Sequence, residues 1–537
     1  MMPFFRKLTA PTLSITRLIL LCALCFTIFY NLAFFRNSFA VYGATPGGLA
    51  FLGSLALFLF SLTVLVLSVL CFRYFTKPVL IVVIFGAALA NYFMNRFNIV
   101  VDSAMLTNVA MTDPNEVHDL LDLSLILQIL LFGLLPALVI LRTRIHCQRF
   151  SQEIWTRLKL MAAALLLLIL SLAPFTSYYT SFFREHKLLR YYTNPATFLY
   201  SSVKFLQEAL GNPIPSQRFV LGLDARIPAQ DQSRELLILV VGETVRADHF
   251  GLNGYERNTT PRLARENVIS FDDVTACGTS TAYSLPCMFS FIPREDFDLD
   301  DFRQQENLLD VLTHAGVNVL WRDNNSDSKG VAIGAGITLE DFRGPERNPV
   351  CDEECRDIGM LSGLDDYISA HPDGDIVIVL HQLGNHGPAY YKRYPPEFEV
   401  FTPVCRSIEL SACSDAEITN AYDNALLYTD YFLSETIAFL RRYDADFETA
   451  LYYMSDHGES LGENGLYLHG LPWLLAPKAQ KQVASILWFG QRYRADHEQV
   501  AARARHPASH DNYSHTVLDM LEIQSEVFEP GKSLIRR

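Results

Sequence analysis

Leu236-Leu237-Ile238-Leu239-Val240-Val241-Gly242-Glu243-Thr244-Val245-Arg246 is an apolar run that ends abruptly on a glycine, an acid and a base. The run has no polar alternation, so it reads as a strand buried on both faces. Shorter apolar runs recur at Val317–Trp321, Ile376–Leu380, Ala450–Met454 and Val483–Phe489. Helical patterns lie between several of them, as at 361–370 and 417–442. This βα alternation predicts an α/β fold, a mostly parallel sheet under helices. In such sheets the functional side chains gather past the carboxyl ends of strands, which is where Glu243 stands.

The same pattern continues downstream. Tyr453-Met454-Ser455-Asp456-His457-Gly458-Glu459 ends a strand on an adjacent Asp and His. A hard oxygen beside an imidazole suits Zn²⁺, and Glu459 is placed to orient a ligating histidine. Ala276–Cys287, reading ACGTSTAYSLPC, is rich in hydroxyls. It reads either as a Ser/Thr helix cap or as an alkoxide nucleophile activated by a metal and a helix N-terminus. His381 and Asn385-His386-Gly387-Pro388 follow another strand, and His469-Gly470 sits within Leu468–Leu471. One such histidine alone is more often structural. His381, His386, His457 and His469 together, with Glu243 and Asp456, predict a metal site.

Upstream the chain changes character. Leu18–Phe35, Asn37–Phe72, Pro78–Asn95, Leu123–Leu141 and Leu160–Phe183 carry no charged residue. About 20 helical residues cross a bilayer core, so membrane helices are predicted near 15–35, 48–71, 78–97, 121–141 and 160–177. Arg6, Lys7, Arg73, Lys77, Arg142, Arg144, Arg149, Arg157 and Lys159 mark the cytoplasmic side. The 97–120 loop, with Asp102, Asp113, Glu116 and Asp119, falls outside, as does everything after the fifth crossing. The first segment, with Ala40 and Ala44 near its end, has some look of a signal peptide, but four more membrane segments favour an uncleaved anchor. Three regions follow: a five-helix transmembrane domain (1–177), an aromatic and basic bridging segment with a linker (178–215), and an outer domain (216–537).

Composition agrees. Of 537 residues, 50% are apolar and 19% charged, which excludes a disordered chain. Lys plus Arg is 44 against 58 for Asp plus Glu, a net charge of −14 that argues against nucleic-acid binding. Six of the ten cysteines fall in the outer domain as the close pairs Cys277/Cys287, Cys351/Cys355 and Cys405/Cys413, which read as disulfides of an oxidising compartment.

These residues carry a resemblance. The outer domain is similar to the alkaline phosphatase/sulfatase superfamily, and the whole chain resembles bacterial phosphoethanolamine transferases that modify lipid A, including the mobile colistin-resistance transferases. The motifs are GETVRADHFGLNGYERNTTP from Gly242, CGTSTAYSLPCMFS from Cys277, WRDNNSDSKG from Trp321, HQLGNHGPAYYKRYP from His381 and SDHGESLGENGLYLHG from Ser455. The resemblance implies an α/β/α sandwich on the periplasmic face of the inner membrane, behind the five-helix domain.

It also implies roles. Glu243, Thr281, Asp456 and His457 match zinc ligands, and Thr281 matches the threonine that carries phosphoethanolamine. Lys329, His386 and His469 match residues around the phosphate or a further zinc, with one histidine serving as general acid or base. Asn108, Thr112 and Glu116 match residues that hold the ethanolamine end. The three cysteine pairs match family disulfides; Ser328 and Ala332 stand where some relatives carry cysteines, which removes a disulfide and leaves the chemistry intact. The implied cofactor is Zn²⁺, one ion tightly bound with room for further sites. The implied partners are a phosphatidylethanolamine donor, a lipid A acceptor and the bilayer, without nucleic acid or an obligate protein partner. The rival readings are transfer to a lipopolysaccharide core sugar or periplasmic glucan, a phosphoglycerol transferase, a sulfatase or phosphatase, and a membrane-anchored binding protein with a degenerate catalytic fold. Against the hydrolases, Thr281 lacks the Cys-x-Pro-x-Arg sulfatase pattern.

Overall fold

The computed structural model describes residues 12–110, 122–146, 149–211 and 218–535. Among the described residues the chain divides into two compact units, a helical one of residues 12–106 and 122–207, and a second of residues 107–110 and 208–535.

In the helical unit, α1 (Ile15–Phe29) and α2 (Leu32–Tyr42) replace the single helix expected over 15–35. The pair bends by 54°. The break falls at Asn31, whose amide donates to Phe26 O at 2.9 Å and Asn194 O at 2.6 Å and so competes with the helix ladder. Helix α3 (Pro46–Leu70) starts on a Thr45 cap with proline in its first turn. It is followed by α4 (Thr76–Arg96), α5 (Leu123–Arg142) with a π segment at Ile129–Leu134, and α6 (Phe150–Leu172). Among the described residues, four helices are long and apolar enough to cross a membrane, and the α1–α2 pair makes a fifth if taken as one span. Leu165, Leu166, Ile169 and Leu170 of α6 are exposed, as expected of side chains meant for hydrocarbon.

Helix α6 begins at Phe150, well before the expected 160. Its polar start is held by the pair Arg157–Glu153, 3.3 Å apart, and by Arg157 donating to Ser68 O at 2.8 Å. Beyond it, the bridging stretch is helical over Thr176–Arg184, Lys187–Tyr191 and Ala196–Gly211.

The second unit is built on an eight-stranded sheet. Its strands are β1 (Glu235–Gly242), β2 (Ile269–Thr275), β3 (Asn318–Asp323), β4 (Ile337–Asp341), β5 (Ile376–His381), β6 (Glu448–Ser455), β7 (Gln482–Phe489) and β8 (Ala508–Ser509). Their order across the sheet is β8-β2-β7-β6-β1-β5-β3-β4. Strand β1 lies at the centre, parallel to β5 and β6. Only β7 runs against its neighbours, antiparallel to both β2 and β6. Every residue of β1 is buried. Leu237, Leu239 and Val241 enter one core, and Leu236, Ile238 and Val240 enter the other. That alternation is why the run lacks a polar face. Helix α7 (Thr281–Met288) lies on the first side, and α8 (Asp415–Arg441), opened by a Ser414/Glu417 capping box, packs into the second. The disulfides Cys277–Cys287, Cys351–Cys355 and Cys405–Cys413 are all formed.

Candidate active site

The register of the central strands fixes the site. Val241 lies opposite both His381 and Met454, and Gly242 opposite Ser455, so Gln382, Glu243 and Asp456 leave the sheet at one end. The chain turns there at Thr244, which has φ 56°, a left-handed conformation costly for a β-branched residue by about 1–3 kcal/mol. The turn is pinned from several sides. Thr244 N donates to Asp456 Oδ1 at 3.3 Å, Val245 N donates to Ser455 Oγ at 2.8 Å, and the Tyr422 hydroxyl on α8 donates to Thr244 O at 2.7 Å. Glu243 is thereby held fully buried.

Thr281 is the first residue of α7, where unsatisfied N–H groups and the helix dipole favour negative charge. Its Oγ1 donates to Glu243 Oε2 at 3.0 Å and lies 3.3 Å from His457 Nε2. His457 Nε2 is also 3.4 Å from Glu243 Oε1 and 3.4 Å from Asp456 Oδ2. His457 Nδ1 donates to Gly458 O at 2.9 Å, which aims the Nε2 lone pair into the cluster. Burial pulls the His457 imidazole down to about 4, keeping it neutral as a metal ligand must be. Asp456 Oδ2 is buried and, among the described residues, has no hydrogen-bond partner. Four donors 2.0–2.1 Å from a tetrahedral ion stand roughly 3.3 Å apart. The spacing, the orphaned carboxylate oxygen and the mixed oxygen and nitrogen donors all fit Zn²⁺.

Around this core, His469 Nδ1 is 3.3 Å from Glu459 Oε1, so the histidine that Glu459 orients is His469. The His469 ring lies 4.3 Å from that of His457 and 5.9 Å from that of His386, centroid to centroid. Burial, with Arg393 second, holds the His386 imidazole well below its ordinary range, while burial raises the Glu459 carboxyl. Lys329, at φ 50°, turns Nζ back onto Ser326 O at 2.5 Å. Asn108 lies on a short helix, Ser103–Ala110, while Thr112 and Glu116 lie outside the described residues. His381, counted with the metal-site histidines, instead pairs with Asp323 through Nδ1 at 2.9 Å.

Two residues at the site have no role assigned from sequence, although Asn325 stands in the WRDNNSDSKG motif. Asn325 donates to Glu243 Oε2 at 2.8 Å and to Gln382 O at 2.7 Å. His510 accepts from Cys277 N at 3.1 Å and meets Ser455 O at 3.0 Å, tying the disulfide loop to the end of β6. An amide in an Asn-Asn pair and a histidine far down the chain become visible only through contacts.

Comparison with known proteins follows the same division. Residues 235–523 match the sulfatase family, and residues 59–210 match the family described as phosphoethanolamine transferase EptA/EptB. Mcr-1 of Escherichia coli is 40% identical over 517 residues, covering 94% of each chain. The chain belongs to the bacterial phosphoethanolamine transferases. EptA of Escherichia coli K12 is 36% identical over 555 residues, covering 99% of this chain and 98% of its own. The structure of EptA from Neisseria meningitidis superposes with a TM-score of 0.92 at 34% identity, over 98% of this chain and 99% of that one. As a member of this family the chain is a multi-pass membrane transferase with its catalytic domain on the periplasmic side, passing phosphoethanolamine to a lipid acceptor.

Proposed function

We propose that this transferase takes phosphoethanolamine from phosphatidylethanolamine onto Thr281 and passes it to a phosphate of lipid A. The observation that carries the reading is the place of Thr281 Oγ1, at a helix N-terminus, 3.0 Å from Glu243 and 3.3 Å from His457. Relatives support the rest: Mcr-1 is a phosphatidylethanolamine transferase, and the Neisseria enzyme is a lipooligosaccharide phosphoethanolamine transferase.

Zn²⁺ held by Glu243, Thr281, Asp456 and His457 would lower the pKa of the Thr281 hydroxyl and offset charge on the phosphoryl oxygens. Thr281 Oγ1 attacks the donor phosphorus, its proton already directed at Glu243 Oε2. The bond from phosphorus to the diacylglycerol oxygen breaks, and a phosphoethanolamine ester of Thr281 remains. His469, braced by Glu459, gives the departing oxygen its proton, and His386 beside it, held neutral by burial, takes a proton from the acceptor. An oxygen of a lipid A phosphate then attacks the same phosphorus, the bond from phosphorus to Thr281 Oγ1 breaks, and Thr281 takes back its proton from Glu243. Lys329 balances phosphate charge, and Asn108, Thr112 and Glu116 hold the ethanolamine end, Glu116 through its charge on the ammonium. The product carries an added amine, which weakens binding of cationic peptides such as polymyxins.

Incubation with phosphatidylethanolamine should add one phosphoethanolamine to the intact protein and none to Thr281→Ala. Mass spectrometry of lipid A from expressing cells should show the same dependence. An adduct that persists in Thr281→Ala, or a modified core sugar with unmodified lipid A, would overturn the corresponding half. Equal use of phosphatidylglycerol, or a Glu116→Ala variant with unchanged donor use, would remove the amine-binding claim.

A further inference from the structure

Leu474 is 91% exposed, more than any other large apolar side chain among the described residues. It does not sit on a loose loop. Gly470 N donates to Thr279 O at 2.7 Å, and Thr279 Oγ1 donates to Leu471 O at 2.7 Å, so the loop is clipped to the segment that carries Thr281. On its return, the buried Gln480 accepts from Leu471 N at 3.2 Å and donates to Leu468 O at 3.0 Å. Trp473, beside Leu474, has the Arg294 guanidinium 3.6 Å from its ring centre and the Lys481 ammonium at 5.2 Å. Arg294 also donates to Cys277 O at 3.2 Å, a second link to the nucleophile segment.

Exposed leucines scattered singly need no explanation. This one is presented by a braced tip of sequence Leu471-Pro472-Trp473-Leu474-Leu475, and no Asp or Glu occurs from 464 to 495 in a chain of net charge −14. Lys478 and Lys481 lie in that acid-free stretch. An apolar tip with an indole, with Arg294 and Lys481 against that indole and Lys478 on the return of the loop, matches the boundary between acyl chains and anionic headgroups.

We infer that the 471–481 loop is a lipid-engaging element, seating Trp473 and Leu474 in an anionic bilayer surface beside Thr281. The inference rests on the reading that the Thr281 donor is a bilayer lipid. Such a donor keeps its two chains in the leaflet while its phosphate reaches Thr281 Oγ1, so an apolar contact close to that hydroxyl shortens the excursion and supplies orientation. A neutral or acidic tip would forfeit it.

The test uses the full chain in nanodiscs of phosphatidylethanolamine and phosphatidylglycerol. Leu474→Cys, in a background where Cys22, Cys25, Cys71 and Cys147 are serine, is labelled with a nitroxide. Relaxation should favour dissolved oxygen over a water-soluble nickel chelate. Water-like accessibility at 474 overturns the inference, as does spin–spin broadening that places a second copy there. Leu474→Asp should raise KM for phosphatidylethanolamine about tenfold, the scale of losing one buried leucine, while turnover of a water-soluble phosphoethanolamine ester persists. Lys478→Gln/Lys481→Gln should weaken the dependence of that KM on phosphatidylglycerol content. Equal loss on lipid and soluble ester would place the defect in the active site and overturn the inference. If the unsubstituted chain cleaved neither donor, the transfer reading would fail, and the nitroxide at 474 would still decide the loop.

Discussion

Asn325 Nδ2 donates to Glu243 Oε2 at 2.8 Å, and both side chains are buried. The amide is itself fixed. Asn325 N donates to Asp323 Oδ1 at 3.0 Å, while Asp323 Oδ2 accepts from Trp321 Nε1 at 2.9 Å and faces His381 Nδ1 at 2.9 Å. The Glu243 carboxylate therefore meets a preset donor rather than choosing its own rotamer. Asn325→Ala should weaken Zn²⁺ binding by roughly 10–100-fold, the usual effect of removing a partner of a ligand. Competition against a chelator of known affinity measures it. Retention of full affinity would show that the surrounding packing alone holds Glu243.

Asp456 offers a second, two-sided prediction. With metal bound, Asp456→Asn should lose tight Zn²⁺, because an amide replaces an anionic oxygen ligand. Without metal, the same change should cost little or stabilise the catalytic domain. It removes a buried negative charge whose Oδ2 has no hydrogen-bond partner among the described residues, close to the equally buried Glu243. Melting with and without chelator separates the two. A large loss in both states would mean that Asp456 is chiefly structural.

The Cys277–Cys287 disulfide encloses Thr281. Cys277→Ser/Cys287→Ser should lower stability by about 2–3 kcal/mol, as expected for closing a short loop. Turnover should fall further than the folded fraction does, because Gly470 and His510 also bond to this loop and cannot by themselves fix its position. Activity that tracks the folded fraction alone would show the disulfide to be a staple and nothing more.

What sequence could show follows from how each feature is encoded. Strand β1 and its acid are visible because a doubly buried strand must be apolar throughout and must end where polarity resumes. The close cysteine pairs are visible because their partners are near in sequence. Strand β2, reading Ile269-Ser-Phe-Asp-Asp-Val-Thr275, was not, because its polar residues hide the run, and β4 and β8 are short edge elements. The antiparallel β7 is as apolar as the parallel strands β1 and β5, so direction is not written in the residues. The bend at Asn31 depends on Asn194, a partner far along the chain. The roles of Asn325, which stands in a motif, and of His510 likewise depend on partners far along the chain.

The far end of the sheet carries the last prediction. Glu235 opens β1, Glu448 opens β6 and Asp375 immediately precedes β5, and all three are buried. Glu235 N donates to Asp375 Oδ1 at 3.0 Å, and Ser233 Oγ donates to Glu448 Oε1 at 2.8 Å. Among the described residues, nothing donates a hydrogen bond to Glu235 Oε2 or Asp375 Oδ2. Burial first, then the Asp375 charge, pushes the Glu235 carboxyl up to about 9, and burial raises Asp375 as well. A raised carboxyl means that the folded state keeps a proton which the unfolded chain releases near its ordinary value of about 4.5. The unfolded state then binds fewer protons between those values. Stability from this pair is complete below about 4.5, declines as pH rises, and is lost through about 9. Glu235→Gln keeps the shape and removes the charge, so the apparent melting temperature of the catalytic domain should fall less between pH 6 and pH 9 than in the unsubstituted chain, by several degrees. Melting curves of the full protein in detergent, with zinc saturating throughout, keep the distant metal site constant. Parallel curves for the two proteins would show that Glu235 is already ionised in the folded state.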